Sequence, residues 1–272
     1  MLTQLIRIGL VLGMCLSFAL PAGAQESPLR RLNTGDDSRG WNAVGRLNIG
    51  GRSFCTGALI APNLVLTAAH CLFDRTTGAR IDPSEIEFLA GWRNDRAEAY
   101  RGVRRAVAHP QYVYGGGDKL ARVAYDLALL ELDQPIRLSS VRPFETDPRP
   151  ERGDEVGIVS YAKDRSEAPS LQEVCHVLEK EPELLILSCS VDFGSSGAPI
   201  FSVRDGIARV VAVVSSKAEL SGQPVALGTS LLGPLETLRA TLEAESNPFQ
   251  TARPGQRVLE TGAGTSAKFL RP

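Results

Sequence analysis

The sequence predicts an all-β chain of two packed six-stranded antiparallel β-barrels with a C-terminal helix. Three observations carry this. Short runs rich in Val, Ile, Leu and aromatic residues recur between positions 42 and 231, each closed by turn residues. They fall into two groups of six, and the segment between the groups carries Pro135, Pro143, Pro148 and Pro150, which argue against a central strand there. One stretch near the end has helical rather than strand periodicity.

The first group comprises 42–49, 53–61, 63–67, 86–91, 99–108 and 127–133, a barrel over about 41–133. The second comprises 154–162, 172–178, 184–190, 198–203, 207–216 and 225–231, a barrel over about 154–232. The helix, about 234–244, lies in "GPLETLRATLEAE": Pro234 sits where a first helical turn tolerates it, and Leu235, Leu238 and Leu242 share one face. That stripe is expected to dock on the second barrel.

The ends read differently. Residues 1–24 carry a single charge, Arg7, then an apolar run from Ile8 to Leu20 and an Ala22-Gly23-Ala24 cleavage pattern, which together spell a secretory signal peptide. The apolar run of about 13 residues is short of the ~20 needed to span a bilayer, so the mature protein is expected to be secreted or periplasmic without a membrane anchor. Residues 25–40, "QESPLRRLNTGDDSRG", are polar and aperiodic, and read as a flexible, dispensable leader. Residues 247–272 read as a disordered tail.

Charge and cysteines narrow the function classes. With 30 Lys+Arg against 31 Asp+Glu there is no electrostatic case for a nucleic-acid partner. Removing residues 1–24 takes away Cys15 and leaves Cys55, Cys71, Cys175 and Cys189, an even number that in an exported chain favours disulfides, with three possible pairings. His70 beside Cys71 and His176 beside Cys175 raise a metal site, but no C-x-x-C spacing accompanies them and no metal is assigned. Gly115-Gly116-Gly117 lacks the Gly-Lys-Ser/Thr of a phosphate loop and reads as a flexible loop bordering a cleft.

Three stretches belong together chemically: "LVLTAAHCL" (64–72), "YDLALLEL" (125–132) and "DFGSSGAPI" (192–200). A serine hydroxyl is a poor nucleophile until an imidazole accepts its proton. The imidazole in turn needs a buried carboxylate to fix its tautomer. The developing oxyanion needs backbone N–H donors, which a glycine beside the nucleophile presents without obstruction. The chain order His, Asp, Ser is a known order for this constellation, whereas the nucleophile elbow G-x-S-x-G would need glycine where Ala198 stands.

"CTGALIAPNLVLTAAHC" (55–71), "AHPQY" (108–112), "DLALLEL" (126–132) and "GSSGAPI" (194–200) resemble the chymotrypsin/trypsin-like serine proteases, above all small exported bacterial members, over about 41–244. The resemblance implies a monomeric peptide-bond hydrolase acting on protein or peptide substrates, with its site between the barrels and no cofactor. By position it implies His70 as general base, Asp126 as its orienting carboxylate, Ser196 as nucleophile, and the Gly194 and Ser196 amides as oxyanion hole. Ser195 stands where animal members have an aspartate that pairs with a newly cut amino terminus, so that activation switch is expected to be absent. Ser190 falls at the base of the primary pocket and Ser215 on its wall, with Lys217 at the rim. Val214 precedes Ser215 where glutamate-cutting relatives carry histidine. Asp192 reads as a loop hydrogen-bonder and the main rival for the pocket charge. The resemblance also implies a Cys55–Cys71 bridge, and Cys175–Cys189 follows as a link between two neighbouring strands. His109 and His176 read as packing residues. Two further functions fit the same fold: a catalytically silent binding or scaffold protein, and an esterase-like hydrolase using the same triad.

Overall fold

A computed structural model describes residues 26–147 and 150–246; the expected signal peptide and tail lie outside the described residues. The chain opens with a two-residue strand, β1 (Arg30–Arg31). Then come β2 (Val44–Ile49), β3 (Ser53–Ala61), β4 (Leu64–Thr67), β5 (Ile86–Ala90), β6 (Ala99–Ala108) and β7 (Ala128–Leu132). These six close into an antiparallel barrel in the order β2-β3-β4-β7-β6-β5. A short helix, α1 (Lys119–Ala124), precedes β7 and was not legible in the sequence.

Among its described residues the Pro-rich connector contributes one short strand, β8 (Glu145–Thr146), which pairs in parallel with Arg209 and Val210. The second barrel follows: β9 (Glu155–Ser160), β10 (Ser170–Lys180), β11 (Leu184–Leu187), β12 (Pro199–Arg204), β13 (Ile207–Leu220) and β14 (Gln223–Ser230). It runs β9-β10-β11-β14-β13-β12 and closes through β12 against β9. The two six-stranded groups expected from the apolar runs are therefore both present, with β10 and β13 longer than their apolar stretches. In β13 pairing continues through exposed Lys217 to Leu220, positions that hydrophobic pattern does not mark, and β10 starts two residues early at buried Ser170 and Leu171.

The barrels share one buried interface. Trp41, Phe144 and Phe201 meet edge-on, with ring centroids 5.0 Å apart for Trp41–Phe201 and 4.7 Å for Phe144–Phe201. One aromatic comes from the start of the first barrel, one from the connector and one from β12, so the cluster fixes how the barrels sit together. Cys55 is bonded to Cys71 and Cys175 to Cys189. With sequence separations of 16 and 14, each bridge contributes about 3 kcal/mol in the chain-entropy account.

Two expectations are corrected. The helix α2 (Pro234–Ser246) buries Leu235, Leu238 and Leu242 as anticipated, but it packs on β6 and β7 of the first barrel rather than on the second. Arg105 of β6 donates to the Leu242 carbonyl at 3.1 Å and anchors the helix there. A leucine stripe says that a face is buried, not against what. Gly233, in the left-handed region at φ 82°, turns the chain out of β14 toward the other barrel.

The second correction concerns residues 26–40, expected to be loose. Residues 27–32 lie against the second barrel: β1 pairs antiparallel with β10, Ser27 donates from its amide to the Val174 carbonyl at 3.0 Å, and Leu32 is fully buried; further on, Ser38 accepts from Arg93 beside the first barrel. The docking uses backbone groups, scattered polar side chains and one fully buried leucine, so it leaves no periodic trace in the sequence.

Candidate active site

His70 lies in a short 3₁₀ turn (Ala69–Leu72) at the end of β4, and the Cys55–Cys71 bridge ties that turn to β3. Asp126 sits between α1 and β7. Asp118 caps α1 by accepting from the amides of Leu120 and Ala121 at 3.0 and 3.1 Å. Its C-terminal end is held by the second barrel, since buried Thr229 donates to the Val123 carbonyl at 2.6 Å. The carboxylate is thus placed by both barrels.

Asp126 is buried and fully engaged. Its Oδ1 accepts from the His70 backbone amide at 2.8 Å, and its Oδ2 lies 2.7 Å from His70 Nδ1. Ser215 Oγ donates to the same Oδ2 at 2.5 Å. Two bonds from one histidine, backbone and ring, fix the imidazole in one orientation and direct its Nε2 side away from the carboxylate.

The serine loop is built by close backbone approach. The Thr56 amide donates to the Ser196 carbonyl at 2.8 Å, and Thr56 Oγ1 donates to the Gly194 carbonyl at 2.9 Å, so β3 holds the loop across the barrel interface. Gly194 and Gly197 have φ of 99° and 78°. A Cβ on Gly197 would stand 2.1 Å from Thr67 Oγ1 and 2.3 Å from the Thr56 carbonyl oxygen. Gly197→Ala is therefore expected to lower stability by on the order of 2 kcal/mol or more, read as a shift in denaturant midpoint at unchanged slope. Among the described residues, the amides of Gly194 and Ser196 donate to no acceptor within the chain.

The two serines differ sharply. Ser195 is fully buried, and its hydroxyl lies 3.2 Å from Ser160 Oγ, 3.3 Å from the Tyr161 carbonyl oxygen and 3.5 Å from Arg165 Nη2. Arg165 also donates to the Ser160 carbonyl at 3.1 Å, and burial pushes its guanidinium below the ordinary value. Ser196 is half-buried and lines a cavity of about 670 Å³ together with His70, Asp126 and Ser215.

Beyond these residues the second barrel contributes Val191, Asp192, Phe193, Val214, Ser216 and Lys217 to the cavity wall. Lys217 Nζ lies 3.0 Å from Asp192 Oδ1 and 4.6 Å from the centre of the Phe193 ring. The bond from Lys217, with the Phe193 amide, holds the Asp192 carboxyl below the usual carboxylate range. The first barrel adds Arg75, Tyr112, Tyr114 and Arg122, which sequence reasoning missed, and Gly115 of the glycine loop. Tyr112 closes the AHPQY stretch, the one available signal.

Ser190 departs from its expected place. It is exposed, it is absent from the cavity lining, and its amide donates to Gln172 Oε1 at 2.8 Å. Counting back from Ser196 fixes a position on the chain but not the direction of the side chain. His109 is buried, stacks on Tyr125 at 5.0 Å and accepts from the Gln111 amide; burial lowers its pKa. His176 lies half-buried on β10. Cys55 and Cys71 come near His70, but their sulfurs are bonded to each other and offer no thiolate to a metal.

A family model described as Trypsin matches residues 33–180, more than half of the 272-residue chain, a span that includes His70 and Asp126 and ends before Ser196. The human chymotrypsin-like elastase family member 1 is 38% identical over 86 residues, 32% of this chain and 30% of that protein. Human serine protease 23 is 27% identical over 164 residues, 54% of this chain and 42% of that protein, and the modular serine protease of Drosophila melanogaster is matched over 15% of its length. The chain thus spans less than half of these curated relatives. Among solved structures, a Glu endopeptidase in complex with MPD superposes with a TM-score of 0.65 at 18% identity, over 79% of this chain and 96% of the other. The chain belongs to the trypsin family.

Proposed function

We propose that this chain is an exported serine endopeptidase that cleaves peptide bonds through an acyl-enzyme on Ser196. The observation that carries the reading is the bonding of His70 to a buried Asp126 inside the cavity that Ser196 also lines. Ser196 Oγ attacks the carbonyl carbon of the scissile bond, and its proton passes to His70 Nε2. The carbonyl oxygen gains the charge and is received by the Gly194 and Ser196 amides. His70 then gives its proton to the departing amine, leaving an ester on Ser196. Water, deprotonated by the same imidazole, attacks that ester and restores the hydroxyl. His70 must be neutral to begin either half, since only an unprotonated ring nitrogen can take the proton of Ser196 or of water.

The signal-like segment at 1–24 and two disulfides support export. For specificity, the second-barrel wall joins apolar Val191, Phe193 and Val214 to a pair of opposite charges that satisfy each other. A charged substrate side chain entering there meets both charges side by side, and such a half-exposed pair gives either sign little net attraction. Small or uncharged residues are therefore preferred before the cleaved bond. The acid preference printed in the name of the Glu endopeptidase is not carried over, because Val214 offers no charge and Lys217 is occupied.

A proteome-derived peptide library digested with protein starting at Gln25 tests this. Cleavage after small or uncharged residues is the expected profile. Dominance of Arg and Lys would show Asp192 free in the pocket, and dominance of Asp and Glu would show Lys217 free. No cleavage of any peptide, in protein with native near-UV circular dichroism, would favour the silent scaffold.

A further inference from the structure

The N-terminal segment is wired to the loop that carries the nucleophile through one buried side chain. Gln172, on β10, is 3% exposed. Its Nε2 donates to the Ser27 carbonyl at 3.1 Å, and its Oε1 accepts from the Ser190 amide at 2.8 Å. Each partner admits only one end of the side-chain amide, since a carbonyl only accepts and a backbone N–H only donates. The orientation is therefore fixed by both contacts together.

Both ends of the link are firmly seated. Ser27 is clamped to Val174 from two sides, its amide donating to the Val174 carbonyl at 3.0 Å and its Oγ accepting from the Val174 amide at 2.8 Å. Three to five residues on, β1 pairs with β10, and Leu32 is fully buried with its amide bonded to the Pro169 carbonyl at 2.9 Å. At the other end, Ser190 is followed at once by Val191, Asp192 and Phe193 of the cavity wall, then by Gly194 and Ser196.

We propose that residues 26–32 act as a positioning element of the active site, with Gln172 as the residue that transmits their docking to the 190–196 loop. The proposal rests on the reading of Ser196 as nucleophile. Loss of Ser27 leaves the Gln172 amide N–H groups buried without their acceptor. The side chain must then rotate or admit water, and a rotated amide would turn its NH₂ toward the Ser190 N–H, donor against donor. The start of the loop keeps its covalent tether, because Cys189 is bonded to Cys175 on β10. The effect is consequently graded rather than complete. It also replaces the expectation of a dispensable leader with a boundary: starts up to Glu26 are tolerated, and cleavage between Ser27 and Asn33 turns the enzyme down.

The test compares protein starting at Gln25, protein starting at Asn33, and full-length Gln172→Leu. The first readout is the second-order rate of Ser196 labelling by a fluorophosphonate. The second is hydrogen exchange at the Ser190 amide, which needs no activity. Both altered proteins are expected to label about tenfold more slowly, the effect of one buried hydrogen bond, and to exchange Ser190 faster while keeping native near-UV circular dichroism. A synthetic peptide of residues 25–32 added in trans is expected to restore the Asn33 start but not Gln172→Leu. Labelling within twofold of the parent in either folded variant overturns the proposal, as does unchanged Ser190 exchange. If the Asn33 start fails to fold, Gln172→Leu alone decides by the same two readouts. A parent that exchanges slowly at Ser190 but never labels would refute the nucleophile assignment and leave the tether standing.

Discussion

Ser196→Ala is expected to abolish hydrolysis, lowering kcat on the order of 10⁶-fold, while the protein folds as before. The hydroxyl is the only group removed, and the backbone bonds that shape the loop do not involve it: the Thr56 amide still reaches the Ser196 carbonyl, and the Gly197 amide still reaches the Val214 carbonyl. What remains is the small acceleration a preformed oxyanion site gives without a nucleophile. The neighbouring substitution is the control. Ser195 Oγ is buried among Ser160, Tyr161 and Arg165, so Ser195→Ala is expected to cost about 1 kcal/mol of stability and to leave hydrolysis largely intact. Steady-state kinetics on a cleaved peptide, with denaturant midpoints for both variants, separate the two. An inactive Ser195→Ala beside an active Ser196→Ala would overturn the register.

That contrast also marks what was legible in the sequence. Apolar runs bounded by turn residues located all twelve barrel strands, because burial on one or both faces leaves a compositional trace. The candidate site residues His70, Asp126 and Ser196 stood out because acyl transfer restricts residue type and their local motifs are short, and the fold brings all three to one cavity. Three kinds of feature left no trace. Docking by backbone, as at β1, needs no particular side chain. The direction of a side chain, as at Ser190, depends on a tertiary bond to Gln172 that no local pattern encodes. The partner of a charge, as with Lys217 and Asp192, is set by a strand residue and a loop residue 25 positions apart that meet only in the fold. The helix α1 was hidden for a different reason: six residues are too few for periodicity to register, and capping by Asp118 with anchoring by Thr229 stabilises it instead.

Asp126→Asn is expected to lower kcat about 10⁴-fold, and the geometry specifies how. The His70 backbone amide, which bonds Oδ1 at 2.8 Å, can only donate, so the asparagine must place its carbonyl oxygen there. Its NH₂ then falls at the Oδ2 position, 2.7 Å from His70 Nδ1 and 2.5 Å from Ser215 Oγ. Ser215 can reverse its hydroxyl and accept. His70 has no such freedom: Nδ1 must accept from the NH₂, so the ring proton moves to Nε2. The nitrogen that should take the proton of Ser196 is then already protonated, and the imidazolium formed in the transition state has lost its carboxylate. Shape and burial are otherwise preserved, so the defect is one of tautomer rather than of fold. Nitrogen-15 shifts of the His70 ring should place the proton on Nδ1 in the parent and on Nε2 in Asp126→Asn, alongside the loss in kcat. Activity within tenfold of the parent, or an unchanged tautomer, would mean that Asp126 only buttresses the His70 turn and that another group orients the base.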